Sequence, residues 1–459
     1  MRAKSLSNVM PVYTTSDPIQ NTSLRRGVEA VIWGMPAVNF DRMVQAMLRD
    51  AKGGLNEVVY WSRLGDWKNQ TLTPNPDSIY LMPFINMKDV GPMVLDVPAV
   101  HDGVINGNIC DAWQSALQDV GPAGFDQGKG GKYVILPPGY SGRVPTGFIV
   151  VQSDTYQVFA LMRSIPKSAS ETDVARAVAY GKTIRLYPLS EAENPEPTMF
   201  VDATDVIFDS TIPYDLRFFE SLARFIQIEP WLGRDKVMIN QLKSMGIEKG
   251  KSFDPDAAMR QILAEAAIEA QVLLDARFES LFSNTFYENT QWAFPASREF
   301  LESNASVFTD PNSYPVDDRG TLYSFAFVGI KHLGAGQFYL MTIRDKRGRP
   351  LEGSRSYRLS VPPDVPVSQY WSVVAYDRVT HTLIRHMKRS SRSSLDSDLQ
   401  RNPDGSVDVY FGAKVLAGKD SNWIPTPANG AFEVMFRFYG PDKTVFDKTF
   451  KLPDLERIA

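Results

Sequence analysis

A single cysteine, Cys110, stands in a chain of 459 residues. No intrachain disulfide can form, so packing and polar contacts must hold the fold. Histidine is also scarce, with only His101, His332, His381 and His386. Four imidazoles leave few ways to build a zinc site, and no two stand four apart on a helical pattern. Long apolar runs are missing, and none approaches the roughly 20 residues of a membrane helix. Met1 to Asn8 carries basic residues without a following apolar core, so no signal peptide is read. A periplasmic or secreted location is expected if a leader has been removed, and a cytoplasmic one otherwise. There is no excess of positive charge either. With a net charge of −4 and no large basic segment, nucleic acid is not an expected partner, nor is a membrane. A Gly-x-Ser-x-Gly elbow and a Walker loop are both lacking. Gly128-Lys129-Gly130-Gly131-Lys132 lacks the phosphate-loop spacing and the hydroxyl residue after lysine, and reads as a hairpin.

What is present points to a globular chain of mixed character. Hydrophobic residues make up 43% and charged ones 22%, the ordinary balance of a soluble protein. The length exceeds what one core usually serves, so at least two domains are expected. Thirty-one prolines and 31 glycines suit turn-rich β architecture. We read a helical leader over 1–70, a β domain over 71–205, a helical connector over 206–315 and a second β domain over 316–459. The fold class expected is mainly β with α: two antiparallel sandwich or jelly-roll-like domains joined by helices.

In the leader, Val28, Val31, Ile32 and Met35 recur at helical spacing, and Pro36 is expected to kink or end that helix. Phe40, Met43, Val44 and Met47 then continue a second one, up to Gly53-Gly54. Short strands are expected over 79–86, 92–97, 103–110, 132–136, 147–151 and 155–162, with a helix over 171–187 and another over 214–228. Asp254-Pro255-Asp256 marks the start of a helix whose stripe is Met259, Leu263, Ala266, Ala270, Leu274, Phe278 and Leu281. Strands resume at 322–330, 337–344, 356–361, 369–376, 381–386, 406–411 and 432–439.

The candidate site begins at Thr73-Pro74-Asn75-Pro76-Asp77-Ser78-Ile79-Tyr80. Two prolines fix their own φ and push Thr73 and Asn75 toward extended backbone. If the stretch is extended, Thr73, Asn75 and Asp77 face one way at the mouth of a strand apolar on both faces. Pro83 then marks an edge or bulge. Asn106, Asn108 and Asp111 lie on or after a neighbouring strand. With Asp77, these oxygen donors suit a divalent cation, Ca2+ or Mg2+, with Asp77 and Asp111 as metal ligands. They equally suit orienting a substrate's hydroxyls, or plain turn-capping. Trp113 and Gln114 suit a sugar or aromatic ligand, and Tyr60, Trp61 and Trp67 either a satellite core or a pocket wall. In the second half Arg385, Lys388, Arg389 and Arg392 form a basic run, read as an exposed loop or as capture of an anionic group.

Several of these stretches also carry a resemblance. Thr73-Pro74-Asn75-Pro76-Asp77 with Tyr80, the strand from Gly91-Pro92 to Pro98, and Leu136-Pro137-Pro138-Gly139 resemble a bacterial family called domain of unknown function 1254. Leu351-Glu352-Gly353-Ser354 to Tyr357, Tyr370-Trp371-Ser372 to Tyr376-Asp377, Asn402 to Ser406, Trp423 to Pro427, and Arg437 to Gly440-Pro441 resemble its usual partner, domain of unknown function 1214. Together they cover roughly two thirds of the chain in the family's order. The resemblance implies a pair of sandwich or jelly-roll-like domains, often in exported bacterial proteins, and brings no established catalytic residues. Tyr370 departs from the phenylalanine frequent there.

Two functional readings follow. In one the chain is a hydrolase acting on a small polar or aromatic substrate, with Asp77 as general base or cation ligand and Asn75, Tyr80, Asn108, Asp111 and Trp113 binding the substrate. In the other it is a non-catalytic module that binds a carbohydrate or small molecule, or a structural one. A small-molecule ligand is the expected partner, with homo-oligomerisation left open.

Overall fold

The computed structural model describes residues 17–327, 331–332 and 336–458. Helix α1 (Pro18–Arg49) opens the described chain, with Asp17 capping the Ile19 N–H. It does not end at Pro36, one of the two outcomes, a kink or an end, expected from the sequence. A proline costs one N–H and crowds the carbonyl four residues back. Here the helix is buried on nearly every side from Gly27 to Met47, so tertiary packing outweighs that local cost. The carbonyl without its partner is that of Ile32, and Gly320 packs against it. A Cβ at Gly320 would stand 2.6 Å from that oxygen.

Helices α2 (Glu171–Gly181), α3 (Leu216–Ile228), α4 (Lys236–Lys243), α5 (Ala257–Leu281), α6 (Arg298–Ala305) and α7 (Val316–Phe325) complete the main helical set. In α5 the buried stripe is Leu263, Ala266, Ala270, Leu274 and Phe278, as its spacing requires. Its cap is Asp256, which accepts from the Met259 N–H, rather than Asp254. α2 is shorter than the expected 171–187, because Gly181 abuts Leu81 and Arg185–Pro188 leaves to pair with Met93–Val97. Residues 316–325 are helix where a strand was expected from 322, and 328–330 lie outside the described residues. A short apolar run does not separate the two states, and Asp317 and Asp318 in the first turn favour the helix.

A six-stranded sheet runs Phe200–Asp202, Glu57–Tyr60, Ile79–Asn86, Gln157–Ser164, Ile105–Asp111, Ala116–Val120 in spatial order. A four-stranded sheet of Arg185–Pro188, Met93–Val97, Gly131–Leu136 and Ile149–Gln152 faces it across one core. Leu81 and Ile85 point into that core, while Tyr80, Met82 and Phe84 point to the helices, the alternation the sequence shows. Pro83 marks neither an edge nor a bulge. It sits mid-strand in the interior of the sheet, paired in register with Val58, and the ladder on its other side resumes at Phe84 with Phe159.

Two further four-stranded sheets form the second sandwich. One runs Gln337–Thr342, Phe432–Pro441, Val367–Asp377, Ser391–Ser393, and the other Trp423–Pro425, Val407–Gly412, Tyr357–Val361, Glu456–Arg457. Their shared core holds Trp371, Phe436, Phe438, Leu359 and Val409. All sheets are antiparallel except for single parallel pairings at their edges and the short Asn69–Gln70 with Phe208–Asp209 pair. Residues 381–386, expected as a strand, form a turn with His381 and His386 at positive φ and one bridge from Tyr376 to Leu383. The largest core spans α1, α3, α5 and α7, the back of the six-stranded sheet, and Val374, Tyr376 and Met435 of the second sandwich.

Candidate functional site

The stretch from Thr73 to Ser78, before the strand Ile79–Asn86, is not extended throughout. Thr73 has φ +36, a left-handed conformation that a β-branched residue rarely adopts. The second sandwich holds it there: the Thr73 N–H donates to His381 O at 2.7 Å, and Arg437 Nη2 donates to Thr73 O at 2.8 Å. Next, Tyr376 Oη donates to Pro74 O at 2.7 Å. Asn75 turns the chain by accepting from the Asp77 N–H at 3.0 Å, and its amide donates to Tyr370 Oη and Tyr439 Oη at 2.7 and 2.8 Å. Tyr80 Oη accepts from the Asn75 N–H at 2.9 Å. The proline-flanked segment is therefore a joint between the two sandwiches.

Beside this joint lies a cavity of about 70 Å3. That is several times the ~10–15 Å3 one water needs. Its apolar wall includes Leu72, Met82, Leu161, Leu322, Phe338 and Met435. Its polar lining includes Thr73, Tyr80, Asn108, Arg163, Gln337 and Arg437. The Arg163 guanidinium lies 5.2 Å from the Tyr80 ring centroid, and that of Arg437 lies 5.0 Å from Tyr339 and 5.6 Å from Tyr376. Nε and Nη1 of both arginines are buried without a hydrogen-bond partner, as is Gln337 Oε1.

Of the residues singled out from sequence, Thr73, Tyr80 and Asn108 line the cavity. Asn108 also donates to Asp119 Oδ1 at 2.8 Å. Asn75 stands one layer back, linked through Tyr439 to Tyr339. Asp77 is buried, accepts from Ser391 Oγ at 2.8 Å, and leaves Oδ2 without a partner. Burial pushes its carboxyl up to about 7, Asp396 adds to the rise, and Ser391 and Arg437 oppose it. Asp111 and Trp113 lie elsewhere. Asp111 caps its own turn, accepting from the Ser115 N–H at 2.7 Å, and burial raises its carboxyl against the field of Arg234. Trp113 packs 4.8 Å from Trp33 and 4.9 Å from Phe225, in the helical core. Among the described residues no three His, Cys, Asp or Glu side chains group as a metal site.

The basic run is fully engaged. Arg385 pairs with Asp209 at 2.7 Å and Lys388 with Asp420 at 2.8 Å, Arg389 donates to Trp423 O at 3.0 Å, and Arg392 pairs with Asp396 and Asp398. A wider cleft of about 650 Å3 opens on the helical side between Trp33 and Tyr314. Its charges largely answer one another: Arg277 pairs with Asp317 at 2.6 Å, and Asp235 takes Trp33 Nε1 at 2.8 Å.

Sequence reasoning did not single out Arg163, Gln337, Tyr339 or Tyr439, and used Arg437 only as a mark of resemblance. A signal existed for the arginines. Each is the lone cation of a mostly apolar strand, Gln157–Ser164 or Phe432–Pro441.

Fold and site together describe a two-sandwich protein with a polar-ended cavity at the joint. The chain carries two families in order: residues 55–188 match Protein of unknown function (DUF1254) and residues 336–443 match Protein of unknown function (DUF1214). A structural-genomics protein of Vibrio parahaemolyticus shares the fold, with TM-score 0.57 and 18% identity over 95% of this chain and 100% of that one. An uncharacterised Burkholderia cenocepacia protein aligns over 96% and 95% of the two chains at TM-score 0.40 and 11% identity. No curated protein matches the chain. Among the described residues no helix is long and apolar enough to cross a membrane.

Proposed function

We propose that the chain binds a small organic molecule in the cavity at the joint, in a binding rather than a hydrolytic role. The observation that carries this reading is the lining itself. Apolar side chains and polar ones gathered from both sandwiches line one space, and the whole is set in buried structure. A hydrolytic role would ask for Asp77 at the cavity beside a second titratable group, whereas Asp77 holds Ser391 outside the lining.

Screening small organic molecules against the full chain by thermal unfolding tests the proposal. A ligand at 100 times its Kd stabilises by about 2.7 kcal/mol, a clear rise in Tm. Ala296→Leu, which extends a side chain into the lining, should remove the response to every hit. A screen without hits, together with higher stability of Ala296→Leu, would make the cavity a packing void.

A further inference from the structure

Four arginines are buried among the described residues: Arg163, Arg319, Arg392 and Arg437. Arg392 meets two carboxylates, Asp396 and Asp398. Arg319 donates to Trp113 O and Tyr314 Oη and lies in the field of Asp111 and Asp235. The remaining two are different. Arg163 and Arg437 are 7% and 2% exposed, and Nε and Nη1 of each lack any partner. Their close neighbours are neutral: the Tyr80, Tyr339 and Tyr376 rings and the Thr73 carbonyl. The carboxylate whose field reaches Arg437, Asp77, spends its hydrogen bond on Ser391. Burying a cation without an opposite charge or full hydrogen bonding is costly, and two such cations on one cavity compound the cost.

We propose that the ligand of this cavity is a monocarboxylate, its head held between Arg163 and Arg437 and its apolar body against Leu72, Met82, Leu161 and Met435. This rests on the small-molecule reading above and names the ligand's chemistry. A carboxylate has two oxygens with about four lone-pair sites, so it can accept from unpartnered N–H groups of both guanidiniums at once. A phosphate group would bring further charge and acceptors toward a wall that offers Leu, Met and Phe side chains. The apolar wall favours a hydrocarbon body instead.

The test uses the full chain and near-isosteric pairs of charged acid and neutral amide, small enough for a cavity of about 70 Å3: acetate with acetamide, and propionate with propionamide, plus inorganic phosphate. Carboxylates should bind at least tenfold more tightly than their amides. Arg163→Gln should erase that difference, and Arg163→Lys should keep part of it. Arg437→Gln is the weaker variant, because Arg437 also holds Thr73. Amides binding as tightly as carboxylates would overturn the inference and leave the small-molecule reading standing. Phosphate binding with no gain from either organic acid would overturn the inference, and so would no binding by any of the five probes, while the small-molecule reading stands or falls with the broader screen and Ala296→Leu.

Discussion

The side-chain amide of Asn75 donates to the phenol of Tyr439 at 2.8 Å, across 364 positions of chain. It donates equally to Tyr370, and the two phenol rings stack at 4.4 Å with 9° between planes. One amide thus ties the first sandwich to two strands of the second. The same short segment gives its Thr73 and Pro74 backbone groups to His381, Arg437 and Tyr376. Proline on both sides of Asn75 lowers the entropy lost when this segment docks.

Removing that amide should loosen the joint. Asn75→Ala strips two buried phenols of their acceptor-side partner and should cost roughly 2–4 kcal/mol in denaturant unfolding. A double-mutant cycle with Tyr439→Phe should give a coupling above about 0.5 kcal/mol. A cost below that figure for Asn75→Ala would mean the joint is held elsewhere.

Asp77 should make stability depend on pH. Its folded carboxyl titrates at about 7, against an ordinary 3.8. Between those values the unfolded chain has lost this proton and the folded chain keeps it. Stability from this group is therefore present at low pH, is lost as pH rises through that window, and levels off above it. Asp77→Asn removes the dependence. Relative to wild type, the variant should gain roughly 1–4 kcal/mol between pH 4 and pH 8, measured by urea titration at each pH. A parallel pair of curves would contradict the buried carboxyl.

Gly320 should tolerate no side chain. Its Cβ would meet the Ile32 carbonyl at 2.6 Å and Ile32 Cγ2 at 2.8 Å, with α1 and α7 both buried around it. Gly320→Ala should destabilise by about 1–3 kcal/mol. Gly233→Ala, where a Cβ meets nothing within 4 Å, is the control and should stay within about 0.5 kcal/mol.

Cys110 should be silent to thiol reagents in the native protein. Its side chain is fully buried in the Ile105–Asp111 strand, and burial raises its thiol well above the usual range, with Asp111 and Asp119 adding to the rise. One equivalent should react on unfolding and none before it. Rapid native labelling would show that this strand opens readily.

The residues alone were enough for elements set by local pattern. The alternation from Ile79 to Phe84, the stripe of α5 and the short runs between turns each depend on periodicity within one window, which is a property of sequence. The motifs around Asn75 and Arg437 also located the two matched families in their order. Tertiary structure decided the rest. Pro36 stays inside one helix because surrounding helices repay the missing hydrogen bond, and nothing near Pro36 in sequence records those helices. In residues 316–325 the first-turn acids Asp317 and Asp318 favour a helix, and burial from Arg319 to Phe325 holds it. The site moved for the same reason: Asp77 and Asp111 look alike as candidate ligands, yet one docks on Ser391 and the other caps its own turn. Arg163 and Arg437 are the single cations of two distant strands, and only the docking of one sandwich on the other brings them to one cavity.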